Sequence, residues 1–593
     1  MSLRSTKIKQ INFTGGINAW NREALLGTDT SNDFKQSHPL VKRELPEGFV
    51  DDILNMDFQA DGSLITRGRF IPHSFAATHG PNDAVAESSF LCTKDGQDTG
   101  TRVAYLIATK NGNTYKFFRD NSTSPFFTHT WAAGTNLPCA VYYNSSWWVY
   151  SYGLNNYLKF TDSGSLQTDG SITPASPGSG FQQVLVWKDR VWGLASNSYS
   201  VNWSAATDPS LWATANGGGF FQLPNKSVIA DMIIFNDQLY LIDLSNNIWI
   251  FSYYTDPGTD GFLRQVVSGF DIGGRPFTGT GWDHRLAVSD NKLFVTGSQN
   301  VFQIVNDTAY PIADSLFLNL NAHDYVKIFN MGDRLLVHAV YEGATKSIQN
   351  YVYHHNTKAW TRYELNPGTV AGDVNKQYID RGCLITQQEG MILALDMGGS
   401  AVTGSTGNGF YPIYRLEIDQ AYFGNSRADG YISIYDGSGD IDYRSILVKL
   451  KTGPIYLGFK HQFKKFREFI LTGWFGYRND GTAPNRTPMK ATVEFVPIGV
   501  ADKTLNTMEI LNLDDEAEHN YRIQINQRAR AVQLTFEQED STTWTTRQFT
   551  STGSTHNVVA PFIITDLALS YKEVNSLRPY MDDRAASTDT SVV

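Results

Sequence analysis

Disulfides, structural zinc and membrane helices are the first things this sequence argues against. Its 593 residues include three cysteines, Cys92, Cys139 and Cys383, an odd set without CxxC spacing, which indicates neither a disulfide framework nor a zinc site. Folding in a reducing cytoplasm is the expectation. No apolar run approaches the roughly 20 residues that cross a bilayer, and the basic start MSLRSTKIKQINF is not followed by the apolar core of a secretory signal. The chain is expected to be soluble. Positive charge is also scarce, with 49 Lys and Arg against 59 Asp and Glu and a formal charge of −10. That balance argues against a chain that grips nucleic acid electrostatically, because phosphate binding needs clustered cations. It leaves open a protein that DNA slides past.

Catalytic signatures are missing as well. There is no GxxxxGK[ST] loop, and Gly217, Gly218 and Gly219 run into FFQLP, a strand-like stretch where a phosphate cradle needs a helix start. His354 and His355 sit in YVYHHNTKAW without any HExxH pattern, and read as a solvated strand end more readily than as metal ligands. Asp436, Asp440 and Asp442 in YDGSGDIDYR are the best calcium candidates. They lack the EF-hand spacing and its closing Glu, so an acidic hairpin loop is the plainer reading. The Ser-x-Asp-x-Gly-x-Thr-Trp turns of sialidase-like propellers are absent, no carboxylate pair stands out for glycoside hydrolysis, and no GxSxG elbow presents a nucleophile. The chain is read as a non-enzyme with no cofactor and no metal.

What the sequence does have is strand grammar: 13% aromatic residues, 50 Gly and 18% charge fit an all-β chain. At 66.2 kDa the chain exceeds one hydrophobic core, and roughly 150 residues per domain would give about four units unless a repeat lowers the count. A repeat is present. VLVWKDRVWGLA (184–195), MIIFNDQLYLID (232–243), RLAVSDNKLFVTG (285–297) and VKIFNMGDRLLVHA (326–339) each read strand, polar turn, strand. Their anchors after the turn are Val191, Leu239, Leu293 and Leu335, and weaker copies place Val103, Trp147 and Met391 in the same series. A second element follows most anchors: GNTYKF, NNYLKF, NNIWIF, QNVFQI and QNYVYH. In each, an Asn that tolerates positive φ precedes a strand.

Units of about 45 residues match propeller blades, and the expectation is six or seven of them over 85–405. Tandem β-sandwich modules would give a similar rhythm. Residues 1–84 read as an extended arm and docking segment, 406–581 as a β-sandwich-like domain with long alternating runs such as KKFREFILTGWFGY, and 582–593 as a flexible tail. Trp147, Trp148, Trp187, Trp192, Trp249 and Trp282 could line a sugar-binding face. Their positions in the repeat favour packing between blades.

The N-terminal segment carries the most specific pattern. NFTGGINAW (12–20) followed by DDILNMDFQADGSLITRGRF (51–70) resembles the opening of the tail nozzle proteins, also called tail tubular protein B, of short-tailed bacteriophages. The matching positions are Gly15, Gly16, Asn18, Asn55, Gly62, Arg67 and Gly68. LGFKHQFKKFREFILTGWF, ATVEFVPIG and APFIITDLALSYKEV are similar to the family's second half. Asp61-Gly62 suits a hairpin turn, and Arg67 beside Gly68 can reach a neighbouring carbonyl or carboxylate. The resemblance implies a structural virion protein that forms a hexameric ring beneath the tail adaptor, passes viral DNA without specific binding and meets the host cell surface, with tail fibres a further candidate partner. A glycan-binding propeller of a tail fibre or accessory protein is the alternative, and a propeller hydrolase a third reading.

Overall fold

The computed structural model describes residues 7–17, 48–68, 70–72, 87–93, 105–111, 113–119, 125, 127–131, 138–151, 153–161, 163–176, 180–195, 197–266, 285–297, 300–316, 325–341, 347–364, 378–386, 390–396, 413–416, 428–432, 441–446, 448–457, 463–475, 477–478, 485–486, 489–496, 503–510, 519–538 and 562–573. Val103, Trp282, Asn18, Asp436, Asp440 and the tail 582–593 lie outside these residues.

Tight turns set the architecture. Asn144-Ser145, Lys188-Asp189, Asn236-Asp237 and Asp290-Asn291 all have φ between +47° and +58°, the pair of left-handed residues that a type I′ hairpin requires and that matches the right-handed twist of its strands. Each joins the first and second strands of a four-stranded antiparallel sheet, as in Ile229–Phe235 and Gln238–Asp243. The anchors Trp147, Val191, Leu239, Leu293 and Leu335 are fully buried. GNTYKF, NNYLKF, NNIWIF and QNVFQI lead into or lie on third strands. QNYVYH departs from this pattern: Asn350 is inside the strand Ser347–His354 and holds His338 at 2.7 Å, so it is a core polar residue and not a turn.

Six separate four-stranded sheets, with the first four strands of a ten-stranded sheet as the seventh unit, make a seven-bladed propeller. The first strands of successive blades touch in order around the ring, and the last, Tyr378–Thr386, meets the first, Glu87–Thr93. The ring is shut by the N-terminal strand Phe70–Pro72, which pairs with Ile413–Leu416 as the outer strand of blade seven. The sequence pattern assigns 413–416 to the C-terminal domain and 1–84 to an arm; the pairing places Ile413–Leu416 and Phe70–Pro72 in blade seven.

Neighbouring blades are also clamped by polar side chains five residues before the first turn. The Gln183 amide exchanges hydrogen bonds with both Met232 N and Met232 O, and Asp231 accepts from the backbone of Arg285 and Leu286 at 2.9 Å. Cys139 Sγ lies 3.4 Å from Phe181 O at the same place in blade two. Gln183 and Asp231 each follow a β-bulge in an inner strand, which re-aims the side chain at the next blade.

The second body is a sandwich built from both ends of the chain. One sheet runs through Met56–Phe58, Leu64–Thr66, Phe562–Glu573, Lys464–Phe475 and His519–Ala529, with Lys7–Gln10 also on Phe562–Glu573. The other continues blade six: its outer strand Ala359–Tyr363 is joined in parallel by Gly16–Ile17 and Phe49–Leu54, then by Lys449–Thr452, Ala531–Gln538, Met489–Val496 and Lys503–Ile510. Phe466, Phe469 and Leu471 of the first sheet pack with Leu534 and Phe536 of the second, and this core is continuous with Leu335, Tyr353 and Trp360 of blade six. The described helical residues are two 3-10 turns, at 214–216 and 314–316.

Candidate functional site

Five of the seven N-terminal pattern residues meet blade six or the turns beside it. Asn12 Oδ1 accepts from Thr14 N and Oγ1 at 2.8 and 2.7 Å, closing a turn that delivers Gly15 and Gly16. Gly16 has φ +76°, and a Cβ there would stand 2.6 Å from Trp360 N and 2.7 Å from Trp360 O. Only glycine lets this strand lie against blade six. Gly15 N donates to Gly48 O at 2.7 Å. In the adjoining hairpin Asp61 Oδ1 caps Ser63 N at 2.9 Å, and a Cβ on Gly62, at φ +86°, would stand 3.0 Å from the Thr14 methyl.

Asn55 and Arg67 join the hairpin to the end of blade six. Asn55 sits at φ +56°, a left-handed position that asparagine tolerates. Its N–H donates to Arg362 O at 2.7 Å and its carbonyl accepts from Arg67 N at 2.9 Å. Its Oδ1 accepts from both Arg67 Nε (3.0 Å) and Glu364 N (2.8 Å). The Arg67 fork then donates to Gly68 O and Glu364 O, each at 2.8 Å, and lies over the Tyr363 ring. Arg67 is 1% exposed, and the planar guanidinium satisfies several oxygens at fixed angles as lysine could not.

Beneath this network is a charge cluster that the sequence does not single out. Arg334 Nη1 donates to Asp57 Oδ2 at 2.7 Å, and Tyr363 Oη donates to Asp57 Oδ1. His354 Nε2 stands 2.9 Å from Thr361 Oγ1 and 3.7 Å from Asp57. Burial by itself would depress the Arg334 pKa, but Asp57, then Tyr363 and Asp333, hold it above the ordinary arginine value. Burial, then Asp57, raises the Tyr363 hydroxyl well above its usual range, and burial, then Arg334, pushes His354 well below its own. The cluster therefore pairs Arg334 with the buried Asp57, and with Asp333 at 3.3 Å on its outer side, beside a neutral histidine and a neutral tyrosine. Asp52–Arg362 (2.8 Å) and Asp51–Lys451 (3.3 Å) extend the polar seam toward the sandwich.

The seam ties the sandwich hairpin to blade six. His354 and His355 are buried, 3% and 8% exposed, where a solvated strand end was expected. His355 Nε2 is 2.7 Å from Ser289 Oγ, superficially a base and nucleophile. Ser289 is 1% exposed and His355 Nδ1 has no hydrogen-bond partner to orient the ring, so the pair closes the gap between blades five and six. Among the described residues no three His, Cys, Asp or Glu side chains converge to hold a metal, and Asp442 is in a strand opposite Tyr431. Trp147, Trp148, Trp187, Trp192 and Trp249 are all at most 7% exposed, so these indoles fill blade contacts and cannot present a sugar platform.

Together these features define a seven-bladed propeller closed by an N-terminal strand and fused through blade six to a β-sandwich. No known family profile matches the chain, and no curated protein matches it. Among solved structures, virginiamycin B lyase from Staphylococcus aureus is similar at 11% identity and TM-score 0.34, over 59% of this chain and 99% of that one. BamB from Moraxella catarrhalis follows at 10% identity and TM-score 0.33, over 56% and 83% of the two chains. The Cps50 (Swd1) propeller domain of Myceliophteria thermophila has 8% identity and TM-score 0.33, over 56% and 97%.

Proposed function

We propose that this chain is a structural tail protein of a short-tailed bacteriophage, a nozzle subunit that forms a ring on the tail axis below the adaptor and conducts DNA without catalysis. The observation that carries the proposal is the convergence of Gly15, Gly16, Asn55, Gly62 and Arg67 of the nozzle-like pattern at the propeller–sandwich junction. Each occupies a position whose backbone or burial favours that residue. A junction with two parallel strand pairings and a buried ion pair suits a subunit that must keep its two bodies in register under load. An acidic chain suits a conduit wall, since repulsion leaves passing phosphates unbound.

Immunogold electron microscopy with antibody raised against the purified chain tests the proposal on a lysate that contains it. Gold at the tip of a short tail is the expected result. Gold on peripheral fibres would favour the glycan-binding alternative, and the absence of labelled particles would refute the family reading.

A further inference from the structure

The outer face of the first sandwich sheet carries a feature that the junction does not use. Lys465 is directly opposite Arg528 on one neighbouring strand and Lys572 on the other. Lys464, Phe466 and Ala529 are buried, whereas Lys465 and Arg528 are exposed and Lys572 is half-buried, so all three cations point outward. Strands lie about 4.8 Å apart, which sets the charges in a straight row spanning roughly 10 Å. Like charges directly opposite one another destabilise a sheet. The second sheet avoids this, with Lys449 pairing with Glu537 at 3.5 Å and Lys451 with Asp51 at 3.3 Å. Among the described residues no carboxylate makes an ion pair with Lys465, Arg528 or Lys572. Glu468, an acid further along the same strand as Lys465, instead accepts from Gln524 at 2.8 Å.

We propose that the row Lys572–Lys465–Arg528, with the exposed Arg522 further along the edge strand, is a docking surface for the phosphate backbone of duplex DNA. Three features favour phosphodiesters over an acidic protein. The cations are mounted on paired strands and so are held in line. The exposed Arg522 guanidinium on the edge strand donates to phosphate oxygens, and the nearby Glu468 carboxylate is capped by Gln524 at 2.8 Å. One exposed large hydrophobic residue, Ile8, lies on this sheet, opposite Ser570, and the others of the described chain are in the propeller, so this face lacks the aromatic centre of a protein interface. The choice of DNA rests on the conduit reading, and it marks one local exception to the acidic surface.

Fluorescence anisotropy of a labelled 30-base-pair duplex, titrated with the full chain across a salt series, tests the row directly. Three phosphate contacts predict a slope of log K against log salt of about −2.7. Lys465→Glu with Arg528→Glu should lower affinity at least roughly tenfold and flatten the slope to about −1. Lys465→Gln with Arg528→Gln should do the same less steeply, which separates lost attraction from misfolding. Reversal of Lys226, an exposed propeller cation, should change nothing. No binding, or binding indifferent to the row, overturns the proposal. So does a change in sedimentation mass in the charge-reversed variant without duplex binding, which would assign the row to a protein interface. Failure here leaves tail labelling intact, so the two readings fail separately.

Discussion

Replacing Asp57 by Asn gives the sharpest test of the junction. The carboxylate is 1% exposed and its partner Arg334 is 8% exposed by side chain, with 2.7 Å between them. At an effective dielectric near 20, unit charges about 4 Å apart attract by about 4 kcal/mol, and breaking a buried pair by removing one partner costs about 3–5 kcal/mol. In the variant the amide oxygen can still accept from Arg334, but the charge that balances the guanidinium is gone, and the amide N–H takes the place of the oxygen to which Tyr363 Oη donates. A loss of about 3–5 kcal/mol is a large share of a domain's stability. Urea unfolding read by tryptophan fluorescence, which reports the propeller through residues such as Trp192 and Trp212, and by far-ultraviolet dichroism, which reports the whole chain, would show it. The wild-type transitions should coincide. In Asp57→Asn they should move to lower urea and separate, as sandwich and propeller lose their coupling. Replacing the pair together, as Asp57→Leu with Arg334→Met, should recover most of the loss, because a buried pair replaced by apolar packing is near neutral. A single-variant cost below about 1 kcal/mol would show that the pair does not hold the two bodies together.

Four further outcomes are expected. Gly16→Ala should cost more than about 2 kcal/mol in the same unfolding assay, since it adds a methyl 2.6 Å from Trp360 N at φ +76°. Replacing both Asn236 and Asp237 by Ala should cost at least about 2 kcal/mol, through two left-handed residues and the lost Trp187–Asp237 hydrogen bond, and a Gly-Gly pair should restore the backbone part alone. Asp231→Ala should cost about 2–3 kcal/mol by stranding the Arg285 and Leu286 amides, seen as faster hydrogen exchange at blades four and five. His354, whose pKa is depressed by burial, then by Arg334 and His355, contributes stability that is complete above pH 6.5 and declines as pH falls below it. The slope should approach about 1.4 kcal/mol per pH unit, and His354→Gln should remove that component between pH 6.5 and 5.5.

The blades were legible because their information is local. Asn236-Asp237 and its counterparts announce the turns, and period-two apolar runs place Leu239 and Leu293 inside. The closure was not legible, because Phe70–Pro72 finds Ile413–Leu416 more than three hundred positions later, and a three-residue strand carries no periodic signal of its own. The junction was half legible. Gly16, Asn55 and Arg67 stood out as a pattern, but Asp57, Arg334 and Tyr363 are spread along the chain and gain meaning only when blade six folds. His354 misled because a paired histidine at a strand end reads as solvated, whereas the sandwich hairpin covers it: Phe58 meets its ring edge-on at 5.3 Å. The blade clamps did leave a sign, a polar residue five positions before the turn in an otherwise apolar strand, at Gln183 and again at Asp231.

Whether this chain builds a tail nozzle would be decided by a cryo-electron microscopy map of the virus particle that bears it. The expected map has a ring of copies on the tail axis, distal to the adaptor, in which each subunit shows a seven-bladed propeller joined through blade six to a β-sandwich. A tail axis without this chain would contradict the proposed function.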